Sequence, residues 1–402
     1  MSVSLVSWLC VFGVVATVAL RSRAYAIFRA VQLSLHTALV LPTLARLDVP
    51  LGVFVYLSAA LYVSALLPLV PRVRGPLVRG LVTVPSAFFV SGTALSLPWV
   101  IVGLFGVALP WPWLPYALAA VGVLQSSFTR GEVVHVVVSD GDVPELSRHR
   151  AGPLRVERPL RLVQITDPHI GPFMPPERLA RICQEAVDKK PDLILLTGDF
   201  LTMEAHHDPE LLRRGLEPLR QFPGKVFACL GNHDYEAPHI VKSALEHAGA
   251  QLLVDEQTMV ETAAGPVEII GAGFVWQKRA EHLAALMARF PRSSGALRLL
   301  LLHDPGAFKH VPEGSVDLVL SGHTHGGQVG LVSLGLSWTM LRLFVNMPDH
   351  GLWARGTDRL YVHRGTGHYG FPLRIGVPAE ESLLLVHAPK LGAAPTLGAP
   401  AE

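Results

Sequence analysis

The chain has 402 residues, of which 50% are hydrophobic and only 16% are charged, a composition too apolar for an ordinary soluble protein. Its net charge of +2 is too small to suggest a nucleic-acid-binding surface. The three cysteines (Cys10, Cys183 and Cys229) lack CxxC spacing and indicate no disulfide framework.

The apolar excess lies in the first third of the chain. Residues 1–130 contain eight arginines, no lysine and a single acidic residue, Asp48. The net charge is therefore +7 for residues 1–130 and −5 for the remainder. This asymmetry predicts two regions with different solvents, a membrane region at 1–130 and an aqueous region after it.

The membrane region is expected to contain about five spans. Residues 3–20 are uncharged and long enough to cross a bilayer, and they lack the positive start of a cleaved signal peptide. Further spans are expected at about 30–45 and 51–70. The uncharged stretch 81–128 fits two more, broken near Pro110 and the adjacent tryptophans. Without paired intramembrane charges, an anchor is favoured over a transporter.

Arginines also predict the orientation of the chain. They cluster after the first and third spans, so those loops are expected on the cytoplasmic side. With five spans, the aqueous region emerges in the cytoplasm, whereas four spans would place it outside. We favour five, which predicts an integral membrane protein with a cytoplasmic C-terminal domain.

The aqueous region begins with a predicted connector at 131–159, strand-like at 133–138 and polar afterwards. From residue 160, apolar strands alternate with amphipathic helices, which indicates an α/β domain over 160–388. Extra strand pairs suggest a second sheet. Residues 389–402 are expected to form a disordered tail.

Five predicted strands of this domain end in Asp, Asn or His beside a turn. A single ending of this kind is a weak signal, because turns commonly use Asp and Gly. Five in succession are hard to explain as turns. The carboxyl ends of strands share one edge in such domains, so these side chains are expected in one cleft. The endings are Asp167-Pro168-His169, Gly198-Asp199, Gly231-Asn232-His233-Asp234, His303-Asp304 and Gly322-His323-Thr324-His325.

This side-chain set predicts a metal centre. Histidine with carboxylate and asparagine suits Zn, Mn or Fe, and the thiolates of structural zinc sites are missing from it. One ion would leave several ligands unused, whereas two divalent ions sharing a carboxylate would use them all. Such a pair, about 3.5–4 Å apart, clamps the attacking and leaving oxygens of an in-line displacement.

The ordered motifs resemble those of the calcineurin-like metallophosphoesterase family over about residues 160–388. Arg364-Gly365-Thr366-Gly367 and the run 372–375 are similar to the bacterial YkuE-type branch, whose members often carry membrane segments. The resemblance implies a two-sheet sandwich flanked by helices (αββα) in a bacterial cell membrane protein. It also implies that Asp199 bridges two divalent ions. The first ion would be held by Asp167, His169 and His325, and the second by Asn232, His303 and His323.

The same resemblance implies roles in catalysis. A metal-bridging hydroxide would attack phosphorus, and His233 would protonate the leaving oxygen. Asp234 would orient His233 through a hydrogen bond. Pro168 departs from the residues usual at its position, but it removes no ligand.

The sequence therefore predicts a membrane-anchored phosphoesterase that hydrolyses a phosphodiester, phosphomonoester or pyrophosphate bond. The alternative is a non-catalytic membrane sensor of metal or of a phosphorylated ligand, or a transport-associated protein. The substrate is left open between a small molecule and a lipid, as is the oligomeric state.

An apolar insertion at 331–345 is either a packed cap or a lip that rests on the bilayer or holds an acyl chain. Arg364 and Arg374 either meet an anionic substrate or serve a surface or ion-pair role.

Overall fold

A computed structural model describes residues 3–138, 141–152, 158–368 and 373–388. The predicted tail at 389–402 lies outside these described residues. The described chain forms an apolar helical region followed by a domain of two sheets and flanking helices.

The helical region consists of apolar helices joined by short turns. Three helical stretches, Arg23–Leu44, Leu51–Leu69 and Pro76–Leu104, are long and apolar enough to cross a membrane. Two further apolar helices are shorter, and length therefore does not decide whether they span; the number of spans stays a prediction. The helices are α1 (Val3–Ala19), α2 (Arg23–Leu44), α3 (Leu51–Leu66), α4 (Pro76–Val78), α5 (Val84–Leu95), α6 (Leu97–Leu104) and α7 (Leu114–Gln125).

A π-helical turn at Arg79–Thr83 connects α4 to α5. Pro85 lacks an N–H and leaves the carbonyl of Leu81, four residues earlier, without its helical donor. The Tyr56 hydroxyl donates to this carbonyl at 2.8 Å. A side chain of the neighbouring helix α3 thus donates a hydrogen bond to the carbonyl that the proline cannot serve.

The first sheet has the strand order β1-β13-β3-β4-β5-β6. In it, β3, β4, β5 and β6 run parallel, so their carboxyl ends share one edge. Its strands are β1 (Thr129–Val137), β3 (Leu160–Ile165), β4 (Leu193–Leu196), β5 (Val226–Ala228), β6 (Gln251–Leu252) and β13 (Ala379–His387).

The second sheet has the order β2-β11-β12-β10-β9-β8-β7. Here β8, β9, β10 and β12 are parallel. Its strands are β2 (Val143–Arg148), β7 (Glu256–Thr262), β8 (Gly265–Gly271), β9 (Leu297–Leu301), β10 (Leu318–Ser321), β11 (Gly351–Gly356) and β12 (Asp358–Val362).

Successive side chains of a strand face opposite sides of its sheet, and this alternation forms the layers of the domain. Leu193 and Leu195 of β4 join the core between the two sheets, whereas Ile194 and Leu196 face the helices. Those helices are α8 (Pro176–Asp188), α9 (Pro209–Leu216) and α10 (Pro238–His247), and α11 (Arg279–Arg289) covers the second sheet. The predicted αββα architecture is confirmed.

The predicted connector at 131–159 differs from the observed structure. Strand β1 pairs in parallel with β13 in the first sheet, and β2 pairs with β11 in the second. Residues before 160 therefore contribute one strand to each sheet of the domain. Both strands lie at sheet edges and are half exposed, so their apolar pattern is weak.

The apolar helices meet the domain through specific contacts. The Arg374 N–H donates to the Gly122 carbonyl of α7 at 3.2 Å. The Arg178 side chain donates to the Ser126 carbonyl at 3.2 Å, and the Arg79 guanidinium lies 6.0 Å from the centre of the Phe173 ring. The arginine-bearing end of α4 and the end of α7 therefore lie on the domain side of the helical region.

Candidate metal centre

Six side chains from the strand ends gather into two groups. Within each group, one potential ligand atom per residue lies within 4.8 Å of the others. The first group follows β3 and β10, and the second follows β4, β9 and β10, so both sheets contribute. The groups are Asp167, His169 and His325, and Asp199, His303 and His323.

Asp199 lies between the two groups. Its Oδ2 atom is 3.7 Å from His169 Nε2 and 3.2 Å from His303 Nε2. Its Oδ1 atom accepts a hydrogen bond from the His233 N–H at 2.9 Å. One carboxylate is therefore within reach of ligands from both groups, the position that the bridging role requires.

The backbone of these residues is strained. Five of the seven predicted ligands have φ between 46° and 68°, the left-handed region that non-glycine residues rarely adopt: Asp167, His169, Asp199, His323 and His325. Each such residue costs roughly 1–3 kcal/mol, and such strain concentrates at functional sites. Hydrogen bonds between loops hold the conformation: the Asp167 N–H donates to the Gly198 carbonyl and the Gly322 N–H to that of His303.

Asn232, the seventh predicted ligand, provides a test of whether the site fits a metal. Its Oδ1 atom is buried, and no side chain or backbone group of the described residues donates a hydrogen bond to it. An unsatisfied buried amide oxygen costs about 1–3 kcal/mol. Coordination of a cation would satisfy this oxygen, so the donor set fits the predicted ions.

His303 presents a ligand nitrogen to the site, and His169 and His323 have the neutral form that metals need. His303 Nδ1 lies 2.7 Å from the Thr197 carbonyl, and this contact places the proton on Nδ1 and leaves Nε2 as the ligand. Burial lowers the pKa of His169 to about 3 and that of His323 to about 4. Both rings are therefore neutral at pH 7, the form that coordinates metal.

The carboxylates show that the site favours positive charge. Burial raises the pKa of Asp167 to about 6, and the negative charge of Asp199 adds to this effect. Burial also opposes ionisation of Asp199, but His303 holds its pKa well below the usual range. Asp199 in turn raises the pKa of His303 to about 10 against the effect of burial. A cation is thus favoured beside Asp199.

The predicted role of Asp234 needs correction. Its two carboxylate oxygens accept hydrogen bonds from the backbone N–H groups of Asp199, Phe200 and Gly231, each at 2.8 Å. Asp234 therefore ties the loop after β4 to the loop after β5. It is committed to the backbone instead of to the imidazole of His233.

Glu236 takes the position beside His233 that was expected of Asp234. Its Oε1 atom lies 3.2 Å from His233 Nδ1, because the 3₁₀ turn at Asp234–Glu236 brings residue 236 back under residue 233. Glu236 was not among the site residues predicted from the sequence. The spacing of three residues between His233 and Glu236, typical of one helical turn, could have indicated this contact.

Arg374 also differs from both sequence-based alternatives. It is fully buried and donates to the backbone carbonyls of His325 at 3.2 Å and Arg364 at 2.7 Å, among others. Its side chain therefore holds together, through hydrogen bonds to the backbone, the loops beside the first group of ligands. Arg364 does form ion pairs, with Glu132 at 2.8 Å and Glu380 at 3.3 Å, as the second alternative predicted.

Comparison with known proteins agrees with this geometry. A profile of the family described as calcineurin-like phosphoesterase matches residues 160–327. The chain is 30% identical over 250 residues to phosphodiesterase YaeI of Escherichia coli, covering 60% of this chain and 87% of that protein.

Two further relatives are similar to this chain. The uncharacterized metallophosphoesterase YkuE of Bacillus subtilis is 29% identical over 223 residues, 53% of this chain and 74% of that protein. The UDP-2,3-diacylglucosamine pyrophosphatase LpxG of Chlamydia trachomatis is 26% identical over 265 residues, 52% of this chain and 78% of that protein.

Proposed function

This chain belongs to the calcineurin-like metallophosphoesterase family, and from that premise we propose that it is a membrane-anchored phosphoesterase with two metal ions that cleaves a phosphodiester or pyrophosphate bond. The observation that carries the proposal is the position of Asp199 between two groups of buried ligands. The family assignment makes the chain a metal-dependent hydrolase of phosphoric esters. The number of ions, their identity as Mn, Fe or Zn, and the bond cleaved belong to the proposal.

The residues present would hold two ions in a defined way. Asp167, His169 and His325 would hold one, Asn232, His303 and His323 the other, and Asp199 both. Divalent ions in such a pair lower the pKa of water and neutralise charge on phosphoryl oxygens. The chain itself supplies the strained loops and buried carboxylates that fix the positions of these ligands.

His233 is proposed to donate the proton to the leaving oxygen. Its ring centre is 5.6 Å from that of His169, so it borders the first group of ligands. Burial disfavours the charged imidazole, but the Glu236 carboxylate raises the pKa of His233 above its usual value. A raised pKa favours the protonated ring near neutral pH, as a general acid requires.

Membrane anchoring is supported by the three long apolar stretches and by the direct passage from α7 into β1. We propose that the domain faces the cytoplasm. Two observations support this orientation: Arg79 contacts Phe173 of the domain, and Arg21 donates to the Leu69 carbonyl at the end of α3, so the arginine-bearing loops lie on the domain side. The names of two relatives, a phosphodiesterase and a pyrophosphatase of a diacylated sugar nucleotide, support the choice of bond.

The test is the substitution Asp199→Asn in the full-length protein. We expect kcat/KM for a soluble phosphodiester to fall by about 10³-fold or more, because several kcal/mol of charge stabilisation depend on the shared carboxylate. Circular dichroism should remain native. Asp188→Asn, an exposed change on α8, is the control and should retain activity. Full turnover in Asp199→Asn would refute the shared-ligand site, and ligand binding without turnover in the native protein would favour the sensor alternative.

A further inference from the structure

The insertion at 331–345, which we call the apolar lip, exposes an unusual amount of apolar surface. Phe344 is 76% exposed, Leu334 74% and Leu343 66%. The lip contains one basic residue, Arg342, and no acidic residue. Of the two sequence-based alternatives, a packed cap is wrong, because a cap would bury these side chains. An exposed patch of this kind marks an interaction surface.

Hydrogen bonds fix the backbone of the lip where it joins the rest of the domain, which we call its base. The Gly330 N–H donates to the Ile375 carbonyl at 2.9 Å, and the Leu331 N–H donates to that of Trp338 at 2.9 Å. Thr339 is buried, and its hydroxyl donates to Asp349 Oδ2 at 2.6 Å. The apolar side chains are therefore displayed from a fixed backbone, so their exposure is a property of the fold.

The base of the lip adjoins the end of the last apolar helix. Leu373 and Ile375 pack so closely on Gly122 of α7 that a Cβ there would collide with both. The Gly376 N–H donates to Gln125 Oε1 at 3.1 Å, three residues further along α7. Residues 373–376 thus connect the lip to the point where α7 reaches the domain, which places the lip at the surface of the membrane that the helices occupy.

The other side of the lip adjoins the candidate metal centre. Residues His325–Gly327 form a turn that leads into the lip, and a Cβ on Gly327 would lie 2.8 Å from Leu341 Cβ. His325 belongs to the first group of ligands. The lip therefore follows directly in the chain from a residue of the first group of ligands.

We infer that the apolar lip inserts into the surface of the chain's own membrane and delivers to the metal centre phosphoesters that carry acyl or alkyl chains. The substrate part of this inference rests on the proposed function. The bilayer is favoured over a protein partner because the lip adjoins the membrane helix through residues 373–376. Exposed Arg342 adds attraction to anionic headgroups at the same surface.

The first experiment measures insertion without measuring activity. In the full-length protein with Cys10→Ser, a cysteine introduced as Leu336→Cys carries an environment-sensitive fluorophore, because Cys183 and Cys229 are buried. The protein is reconstituted in phosphatidylcholine vesicles that contain spin-labelled acyl chains. We expect quenching at position 336 and none at the control Met259→Cys, an exposed apolar position on β7.

Two outcomes would overturn the insertion. Equal access of aqueous iodide to both probes would show that the lip lies in water. Shielding from iodide without quenching by the lipid label would assign the lip to a protein partner. Either result stands whether or not the protein hydrolyses an ester.

The second experiment tests the substrate class with two diesters that share one reacting group, methyl and hexadecyl p-nitrophenyl phosphate. For the native protein in vesicles, we expect kcat/KM at least about tenfold higher for the hexadecyl ester. Phe344→Asp should reduce this preference about tenfold, and Met259→Asp should leave it unchanged. Equal rates for both esters in the native protein would overturn the inference, whereas hydrolysis of neither would refute the phosphodiesterase activity of the proposed function and leave the insertion result unaffected.

Discussion

The family resemblance assigned the orientation of His233 to Asp234, whereas in the structure two acidic residues have separate roles. Asp234 holds the backbone of two metal-binding loops, and Glu236 faces the imidazole of His233. The distinction depends on the direction of each side chain after a 3₁₀ turn. A sequence with two acids within three residues of a histidine does not reveal that direction.

Glu236→Gln tests this division of roles. The carboxylate raises the pKa of His233, so its removal lowers that pKa and reduces the protonated fraction at pH 7–8. We expect the alkaline limb of the pH profile of kcat/KM to move to lower pH. The loss should be larger for diesters with poor leaving groups than for p-nitrophenyl esters, because only the former need a proton.

Glu177→Gln is the matched control, since Glu177 is an exposed acid paired with Arg214 on the surface. It should leave the pH profile in place. An unchanged alkaline limb in Glu236→Gln would show that Glu236 does not tune His233.

For individual residues, the sequence predicted the chemistry of the site better than its geometry. The six candidate ligands that gather in the structure were recognisable by type and by their position after apolar strands. The positive φ at Asp167 and His325 was not, because only glycine signals that conformation in a sequence. Arg374 was misjudged for a related reason: an arginine that binds backbone carbonyls looks in sequence like one that binds phosphate.

Among the elements, strands with strong apolar alternation were predictable, whereas two strands at one edge of the second sheet were not. The predicted strands that end at the metal centre are present, with ends shifted by one or two residues. Strand β2 was expected to be polar surface, and β11 was not predicted because glycine stands at both of its ends. Both pair at the edge of the second sheet, where pairing in the tertiary fold and not local preference decides the structure.

Glu380 connects a strand of the first sheet to a strand of the second, and its ionisation should stabilise the fold. It lies on β13 and accepts hydrogen bonds from the hydroxyl of Tyr361 on β12 and from the Arg364 N–H. Burial opposes its ionisation, but His363 and Arg364 lower the pKa of Glu380 to about 2. A lowered pKa contributes stability above the ordinary value, and that stability is lost as the pH falls towards 2.

We therefore predict that Glu380→Gln destabilises the protein most at pH 5 and above. The contribution of ionisation there is on the order of 3 kcal/mol. The difference in melting temperature between native and variant protein, measured in detergent, should shrink as the pH falls from 5 to 3. A difference independent of pH would show that the carboxylate is not ionised in the folded state.

The whole molecule joins an apolar helical region to a charged domain through one short connection, α7 into β1. The division into two regions followed from the distribution of charge along the sequence. The contact between them did not, because it depends on Gly122 meeting Leu373 and Ile375, which are about 250 residues away in sequence. The two regions therefore form one continuous structure at this contact.

The orientation of this structure gives a prediction that needs no enzymology. The arginine-bearing loops lie on the domain side, so the domain should be cytoplasmic. In intact bacterial cells, a membrane-impermeant maleimide should label Val107→Cys, between α6 and α7, and not Lys242→Cys on α10. Permeabilised cells should label both. Labelling of Lys242→Cys alone in intact cells would reverse the orientation.

We propose that two divalent ions, shared through Asp199, make this protein a phosphoesterase. The most direct test removes the metals from the detergent-solubilised full-length protein and then restores Mn, Fe or Zn while following hydrolysis of bis-p-nitrophenyl phosphate. We expect that two ions bind per chain, that chelation abolishes turnover, and that one of these metals restores it. Turnover that persists after complete removal of metal would show that hydrolysis does not depend on these ions.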